Sequence, residues 1–277
     1  MRQAWSFTDK ISCRKHKLGE NSMKNITRSE ADTRYSLKKE KPHVYEKIMR
    51  YEEKVKNGES IAIIQFVYDY TCNFRCAHCS IAKVEKRERS FAIDDVKELA
   101  RQADEMGLAN FVITGGEPLV FPDFDEVVAA IDPRKFYITS DTNGWFLDAS
   151  RARHLKDIGV DKIQLSLDSM RADEHDEFRR KKGSHQRVLQ AIDAAVDSGL
   201  NIILSTVVTK ERVRSAEFIE LLEFGKAKRV GVFVTLAKPV GRWEGNLDIL
   251  VDSSDLDYIR KLEKNYPVFT HLTPAYG

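Results

Sequence analysis

The chain has few cysteines, only four in 277 residues. It also lacks an apolar run close to the roughly 20 residues that a transmembrane helix needs, and its first twenty residues contain no apolar core of a signal peptide. The net charge is only +2, so overall charge gives no argument for a nucleic-acid partner. We therefore expect a cytoplasmic protein with neither a membrane nor a nucleic-acid partner.

Three of the four cysteines, Cys72, Cys76 and Cys79, stand together as C-x3-C-x2-C directly after an apolar, strand-like segment. Such a short loop can wrap three thiolates round one metal centre, and a cubane iron–sulfur cluster held by three cysteines keeps one iron open to another ligand. The alternative is a zinc site that adds His78, although structural zinc sites more often combine two short knuckles far apart in sequence. The fourth cysteine, Cys13, is expected to be a free thiol.

From residue 61 onwards, short β-branched runs alternate with longer helical ones. With 42% hydrophobic residues the chain can bury a substantial core. Strands alternating with helices predict a parallel sheet with right-handed crossovers. The predicted strands are 61–69, 110–114, 135–140, 161–167, 201–208 and 229–236, and the predicted helices are 94–106, 123–131, 148–158, 185–198, 213–226 and 254–264. Periodicity does not separate an open doubly wound sheet from a partial barrel.

The predicted domain organisation has three parts. Residues 1–60 form an N-terminal extension, in which a flexible leader over 1–41 precedes one amphipathic helix that starts at Pro42. Residues 61–265 form the core, and residues 266–277 form a short C-terminal segment.

A glycine-rich motif, Gly115-Gly116-Glu117-Pro118, follows the second predicted strand. Two glycines let the backbone approach a ligand closely, and a carboxylate complements a cation. The simpler interpretation is a turn between a strand and a helix.

Polar turns also follow the third, fourth and sixth predicted strands. They are Asp141-Thr142-Asn143-Gly144, Ser166-Leu167-Asp168 and Pro239-Val240-Gly241. A basic run, 179–182, begins about a dozen residues after the second of these turns. Its first residue, Arg179, could bind a carboxylate bidentately, and Arg180 could equally take that role. Alternatively, the run is a solvated loop, the usual meaning of adjacent charges.

Together these motifs resemble the radical S-adenosylmethionine (SAM) superfamily, over residues 61 to about 265. They are most similar to the branch that includes molybdenum-cofactor biosynthesis and peptide-maturase enzymes. One departure is His78, at a position that is hydrophobic or aromatic in the family. The resemblance implies an α/β fold, a partial (β/α)6 TIM-like barrel with ligand-binding groups at the carboxyl ends of its strands.

The resemblance also implies a set of ligands. The family pattern assigns three irons of a [4Fe–4S] cluster to Cys72, Cys76 and Cys79, and the open iron to SAM. The implied SAM contacts are His78 near the adenine, Gly115, Gly116 and Glu117 at the methionine ammonium, Thr142 and Asn143 at the ribose with Asp141 as a neighbouring acceptor, and Ser166 and Arg179 at the carboxylate.

The activity implied by the family is reductive cleavage of SAM to a 5′-deoxyadenosyl radical, which abstracts a hydrogen atom from the substrate. The implied partner is a one-electron reductant protein of the flavodoxin or ferredoxin type. A peptide or protein substrate is slightly favoured over a small cofactor precursor, and a non-catalytic metal-binding scaffold is a third hypothesis. Because no cysteine follows Cys79 and related chains continue beyond this point, we expect a short or truncated member without an auxiliary cluster.

Overall fold

A computed structural model of the chain describes residues 30–59, 62–84 and 91–270. Parallel strands form one curved sheet, and helices connect and cover them. The strands are β1 (Ile64–Asp69), β2 (Asn110–Gly115), β3 (Tyr137–Thr142), β4 (Lys162–Ser166), β5 (Asn201–Val208), β6 (Gly231–Leu236) and β7 (Val268–Thr270). The helices are α1 (Glu30–Glu40), α2 (Pro42–Lys56), α3 (Ile93–Glu105), α4 (Phe124–Ile131), α5 (Ala149–Asp157), α6 (Ala172–Arg179), α7 (Ser184–Asp197), α8 (Ala216–Lys228) and α9 (Ser253–Leu262).

The strands follow one another across the sheet in chain order, β1 to β7. Each neighbouring pair is parallel, as in a barrel built from βα units. Among the described strands β1 and β7 do not pair with each other, so the barrel is open. The predicted fold class, a partial (β/α)6 barrel, is confirmed. The short β7 adds one strand beyond residue 265, in the segment predicted to be separate from the core.

Alternating burial along the strands explains how the sequence specifies the sheet. In β2, Phe111 and Ile113 are fully buried and pack in one core with residues of the helices, such as Val96 of α3 and Val128 of α4. Successive side chains of a strand point to opposite faces. The alternate residues therefore face the barrel interior, where the polar side chains of the predicted motifs lie.

Helix boundaries follow capping side chains that periodicity alone does not reveal. Helix α8 begins at Ala216, three residues later than predicted, because the Ser215 hydroxyl accepts a hydrogen bond from the Phe218 amide at 3.2 Å. Helix α6 was not predicted, because its polar sequence shows little apolar periodicity. None of the helices in the described ranges is both long and apolar enough to cross a membrane.

The described part of the predicted flexible leader is helical. Helix α1 places Leu37, which is 7% exposed, against Val44 of α2 and Tyr137 of β3. Residues 30–40 are thus helical, in a part of the chain where the sequence shows no clear periodicity. Over residues 35–40, where burial is described, Leu37 is the one buried apolar side chain. So short an apolar face gives no periodic pattern, and only the packing against α2 and the barrel reveals the helix. Residues 1–29 of the predicted leader, with Cys13, lie outside the described residues.

Candidate functional site

A cavity of about 220 Å³ lies at the carboxyl ends of the strands, beside the cysteine loop. Every residue predicted to bind metal or cofactor lines it: Cys72, Cys76, His78, Cys79, Gly115, Gly116, Glu117, Thr142, Asn143, Ser166 and Arg179. Further lining residues include Phe74, Thr114, Asp141, Gln164 and Ser205. The convergence follows from topology, because the carboxyl ends of parallel strands meet at one edge of the sheet.

The two glycines after β2 let this strand end lie against the start of the cysteine loop. The Gly116 amide donates to the Asp69 carbonyl at 2.9 Å, and the Glu117 amide donates to the Thr71 carbonyl at 2.9 Å. A Cβ on Gly116 would lie 2.0 Å from the Thr71 oxygen, so only glycine permits this approach. The Gly-Gly pair therefore has a structural task beside any ligand contact.

Two further hydrogen bonds hold the middle of the cysteine loop. The Ala77 amide donates to the Phe178 carbonyl of α6 at 2.9 Å. The Asn143 side-chain amide, after β3, donates to the Asn73 side-chain oxygen at 2.8 Å. The loop is thus fixed to two separate parts of the barrel.

The turn after β6 closes on the end of the cysteine loop. The Arg242 amide donates to the Cys79 carbonyl at 3.1 Å. Gly241 has a φ of +60°, and a Cβ there would lie 2.3 Å from the Cys79 carbonyl oxygen. The turn Pro239-Val240-Gly241, a minor signal in the sequence, is therefore part of the site.

The three thiols carry no disulfide. Burial raises the pKa of Cys72 to about 11, and burial also raises the pKa of Cys76, with Arg179 acting in the opposite direction. Within the described ranges, no three His, Cys, Asp or Glu side chains have the geometry to hold a single metal ion. A cubane cluster would take one thiolate on each of three irons, whereas a zinc site would need all three on one ion with a fourth ligand.

His78 lies in an aromatic cluster at the edge of the cavity. Its ring stacks on Phe178 with centroids 4.7 Å apart, and the Trp243 ring lies 6.1 Å away at a tilt. Burial lowers the pKa of His78 to about 3, so the ring is neutral near pH 7. Its Nδ1 atom is buried and has no hydrogen-bond partner within the described part of the chain. The side chain thus serves as an aromatic packing group with one polar atom unused.

Glu117 joins the ends of β2 and β3. Its carboxylate accepts hydrogen bonds from the Thr142 hydroxyl at 2.5 Å, the Asn143 amide at 2.7 Å and the Leu119 amide at 3.2 Å. Burial raises the pKa of Glu117 to about 7 in spite of these bonds. Thr142 and Asn143 were predicted to face a ribose; in the structure their polar groups orient Glu117 and the cysteine loop.

Asp141 supplies the free acceptor in this part of the cavity. Its Oδ1 atom is buried, and no described residue donates to it. Burial raises the pKa of Asp141 to about 7, and a hydrogen bond with Thr114 opposes that rise. Gln164, the residue beside it on β4, lines the same cavity. The interior therefore presents a carboxylate oxygen that can accept a hydrogen bond from a ligand hydroxyl.

Arg179 is the last residue of α6 and is only 7% exposed. Its Nε donates to the Asp168 carboxylate at 2.6 Å. Burial is the largest single effect on Asp168 and raises its pKa, but the groups around it, Arg179 foremost and Arg212 with it, together outweigh burial and hold that pKa well below its usual range. Arg180 is exposed, with a left-handed φ of 51°. The cavity-lining member of the basic run is therefore the first arginine.

Sequence reasoning missed two contacts near this arginine. Asp168 had been considered only as a letter of the S-L-D motif, although it is the buried partner of Arg179. Lys181 would face solvent if the run 179–182 were a solvated loop, but its ammonium lies 4.5 Å from the centroid of the Trp145 ring and 5.9 Å from that of Phe74. Neither contact has a signal in the sequence, because both depend on how α6 folds back over the strands.

A comparison with known proteins agrees with the arrangement of this site. A family model described as the Radical SAM superfamily matches residues 68–224, more than half of the chain. The chain belongs to the radical SAM superfamily. The predicted resemblance is confirmed, and the cofactors that the family implies are a [4Fe–4S] cluster and SAM.

Curated relatives of this radical SAM chain include enzymes of cofactor biosynthesis. A probable GTP 3',8-cyclase from Methanocella arvoryzae is 30% identical over 171 residues, which cover 62% of this chain and 55% of the relative. The GTP 3',8-cyclase of Marinobacter nauticus is 33% identical over 190 residues, with 66% and 56% covered. An AdoMet-dependent heme synthase from Nitratidesulfovibrio vulgaris is 26% identical, with 68% and 52% covered. The chain spans about half the length of these relatives.

Solved structures give the same fold. Streptococcus suis SuiB bound to its precursor peptide SuiA superposes with a TM-score of 0.61 at 21% identity, covering 82% of this chain and 53% of SuiB. The enzyme anSMEcpe with bound AdoMet superposes with a TM-score of 0.58 at 17% identity, covering 76% and 63%. At these identities the likeness establishes the radical SAM barrel fold.

The residues present fit the family's cofactors. Three free thiols occupy the loop at the cavity edge. A glycine pair brings backbone close to the cavity, and a buried guanidinium suits a carboxylate. An oxygen of Asp141 that accepts from no described residue could accept a hydrogen bond from a ligand hydroxyl. In the cavity, the carboxylate of Glu117 is complementary to the ammonium of an amino acid, and the guanidinium of Arg179 is complementary to its carboxylate.

Proposed function

We propose that this chain is a radical SAM enzyme that cleaves SAM reductively at a [4Fe–4S] cluster and uses the 5′-deoxyadenosyl radical to abstract a hydrogen atom from its substrate. The observation that carries the proposal is the single cavity shared by the three cysteines, the acidic Glu117 and the buried Arg179. Separate sequence motifs supply these groups, and the barrel brings them together.

Cys72, Cys76 and Cys79 are the proposed cluster ligands. Their loop is tied to β2, to the turn after β3, to α6 and to the turn after β6. These ties hold the thiols at the cavity before any ligand binds, which lowers the conformational cost of forming the site. His78 is proposed to pack near the adenine as a neutral ring.

The amino-acid end of SAM is proposed to bind between two opposite charges. Glu117 and the backbone of Gly115 and Gly116 would take the ammonium, and Arg179 with Ser166 would take the carboxylate. A cation beside Glu117 would favour the ionised carboxylate, which burial alone disfavours. The charge of Glu117 is thus expected to depend on whether SAM is bound.

For the ribose, the structure supports Asp141 better than the predicted Thr142 and Asn143. The latter two already donate to Glu117 and to Asn73. Asp141 keeps a buried acceptor oxygen without a donor among the described residues. A ribose hydroxyl would satisfy it, and a buried acceptor without a partner costs free energy.

Two substrate classes each have support. A small cofactor precursor is favoured by the relatives at 30–33% identity, which are GTP 3',8-cyclases. A peptide or protein substrate is favoured by the motif pattern, which resembles that of peptide maturases. Arg180 and Lys182 are exposed and follow the cavity-lining Arg179 in sequence, so they suit anionic groups in either class. A flavodoxin- or ferredoxin-type protein is the proposed source of the electron.

Metal content and SAM cleavage test the reaction. After anaerobic reconstitution the protein should hold about four irons and four sulfides. With SAM and a strong reductant it should form 5′-deoxyadenosine, Cys76→Ala should abolish that product, and Cys13→Ala should not. A colourless zinc protein that takes up no iron and sulfide, or equal product from both variants, would contradict the proposal.

Isotope transfer tests the substrate class. Deuterium from a labelled substrate should appear in 5′-deoxyadenosine, because the radical abstracts hydrogen directly. Labelled GTP represents the small precursors, and labelled peptides encoded near the gene represent the second class. Transfer from one and not from the other assigns the class.

A further inference from the structure

Asp168 holds Arg179 in one orientation. One carboxylate oxygen, Oδ2, accepts from Arg179 Nε at 2.6 Å. The other, Oδ1, accepts from the Val207 amide at 3.1 Å and from the Thr206 hydroxyl at 3.4 Å. Asp168 is 1% exposed, so this pair is buried and rigidly bonded to β5. Both oxygens of the carboxylate are in use.

The surroundings of Asp168 reinforce that orientation. Its backbone amide donates to His175 Nδ1 at 3.2 Å, and its carbonyl accepts from the Arg212 guanidinium. Arg212 also donates to the Val207 carbonyl. The turn after β4 is therefore bonded to α6 on one side and to the end of β5 on the other.

The guanidinium of Arg179 bonds Asp168 through Nε and contacts the cysteine loop through Nη1. Its Nη1 lies 3.9 Å from the Cys76 sulfur, within reach of an N–H to sulfur hydrogen bond. Arg179 also lines the cavity. Because the guanidinium is planar, a hydrogen bond at Nε also fixes the directions of the Nη N–H groups. A lysine ammonium can rotate and has no such fixed directions.

We propose that Asp168 is a positioning residue that couples the cluster to SAM. By fixing Arg179 through Nε, it keeps Nη1 on the Cys76 sulfur and presents the rest of the guanidinium to the SAM carboxylate. Hydrogen bonds to cluster sulfurs raise the reduction potential, because they stabilise the more negative, reduced state. One buried ion pair thus sets both the potential of the cluster and the affinity for SAM. This inference rests on the proposed function.

Asp168→Asn is the direct test. An amide has one acceptor oxygen and no charge, so the variant loses either the Arg179 bond or the bonds that anchor residue 168 to β5. In either case Arg179 loses the ion pair and is held less firmly. Arg179→Lys is the second variant, since it keeps the positive charge and removes the planar guanidinium.

In both variants we expect unchanged iron content and a SAM dissociation constant raised about tenfold or more. In Arg179→Lys, which keeps the charge near the cluster, we also expect a more negative midpoint potential in a redox titration followed by electron paramagnetic resonance. Asp168→Asn also removes a negative charge close to Cys76, which acts on the potential in the opposite direction, so in this variant the SAM affinity is the main measurement.

Ser169→Ala is the matched control. Ser169 is buried beside Asp168, and its hydroxyl donates to Glu174 in α6 at 2.9 Å without touching Arg179. A general loosening of α6 would move the potential in this variant too, whereas we expect it to stay at the wild-type value.

The outcomes separate the two proposals. A wild-type protein without a cluster or without SAM binding overturns the proposed function and this inference together. A functional wild type with an Asp168→Asn variant of the same SAM affinity overturns the inference alone. If Asp168→Asn does not fold, Arg179→Lys decides in the same way.

Discussion

The imidazole of His78 stacks on the ring of Phe178, with centroids 4.7 Å apart and planes inclined by 15°. The histidine belongs to the cysteine loop and the phenylalanine to α6, so the stack joins the proposed cluster ligands to the helix that carries Arg179. The amide–carbonyl bond from Ala77 to Phe178 runs beside it. An aromatic ring at this position thus has a packing role that does not require its nitrogens.

This contact predicts that His78→Phe keeps the cluster. A phenyl ring preserves the stack, so iron and sulfide should stay at about four each per chain, and 5′-deoxyadenosine should still form. Metal analysis of the reconstituted variant makes the measurement. Loss of metal in His78→Phe would instead point to His78 as a ligand, as in the alternative Cys3His zinc site.

The second prediction concerns the basic run 179–182, which begins with the last residue of α6. Arg179→Ala should raise the SAM dissociation constant about tenfold or more, since losing a charged hydrogen bond costs about 1.5–3 kcal/mol. Lys182→Ala is the control, because this lysine is exposed. Equilibrium binding of SAM to both variants makes the comparison. Equal affinities would show that the SAM carboxylate binds elsewhere, and a loss in Arg180→Ala alone would shift the role by one residue.

The third prediction compares two glycines of one turn. Gly241 and Gly245 both have positive φ values, +60° and +78°, so alanine at either position costs about 1–2 kcal/mol of backbone strain. Only at Gly241 would a Cβ also meet the Cys79 and Ser80 carbonyl oxygens, at 2.3 and 2.5 Å. Gly241→Ala should therefore displace the cysteine loop and lower the iron content, while Gly245→Ala should lower only the melting temperature. Equal iron content in the two variants would argue against this role of the turn.

The fourth prediction is a pH dependence that comes from Asp141. Its pKa is about 3.9 in an unfolded chain and about 7 in the folded protein, where burial raises it. Between these two pKa values the folded state holds a proton that the unfolded state releases. The free energy of unfolding therefore falls as the pH rises from about 4 to 7.

Asp141→Asn removes this dependence. In the absence of ligands, the free energy of unfolding of the variant, measured against that of the wild type, should therefore be higher at pH 8 than at pH 5. The gain is at most a few kcal/mol, since one pKa unit corresponds to about 1.4 kcal/mol. Urea unfolding at the two pH values gives the difference. A variant that tracks the wild type at both values would show that Asp141 ionises normally in the folded chain.

Strand positions and the order of the barrel could be predicted because the information is local. Alternating burial, as in β5, repeats every two residues along the chain, and a helix must follow each parallel strand. The cysteine spacing and the Gly-Gly pair are local as well. Helices α1 and α6 were not predictable in this way, because each buries few side chains and the contacts come from distant segments.

The sequence by itself determined the kind of chemistry, since three cysteines in one short loop and the motifs after successive strands identify the family. Tertiary structure decided how the groups are used. It placed Arg179 rather than Arg180 in the cavity, paired it with Asp168, directed Thr142 and Asn143 towards Glu117 and Asn73, and left an oxygen of Asp141 without a donor among the described residues. Partners for buried polar groups come from segments far apart in the chain, so they are fixed only when those segments pack.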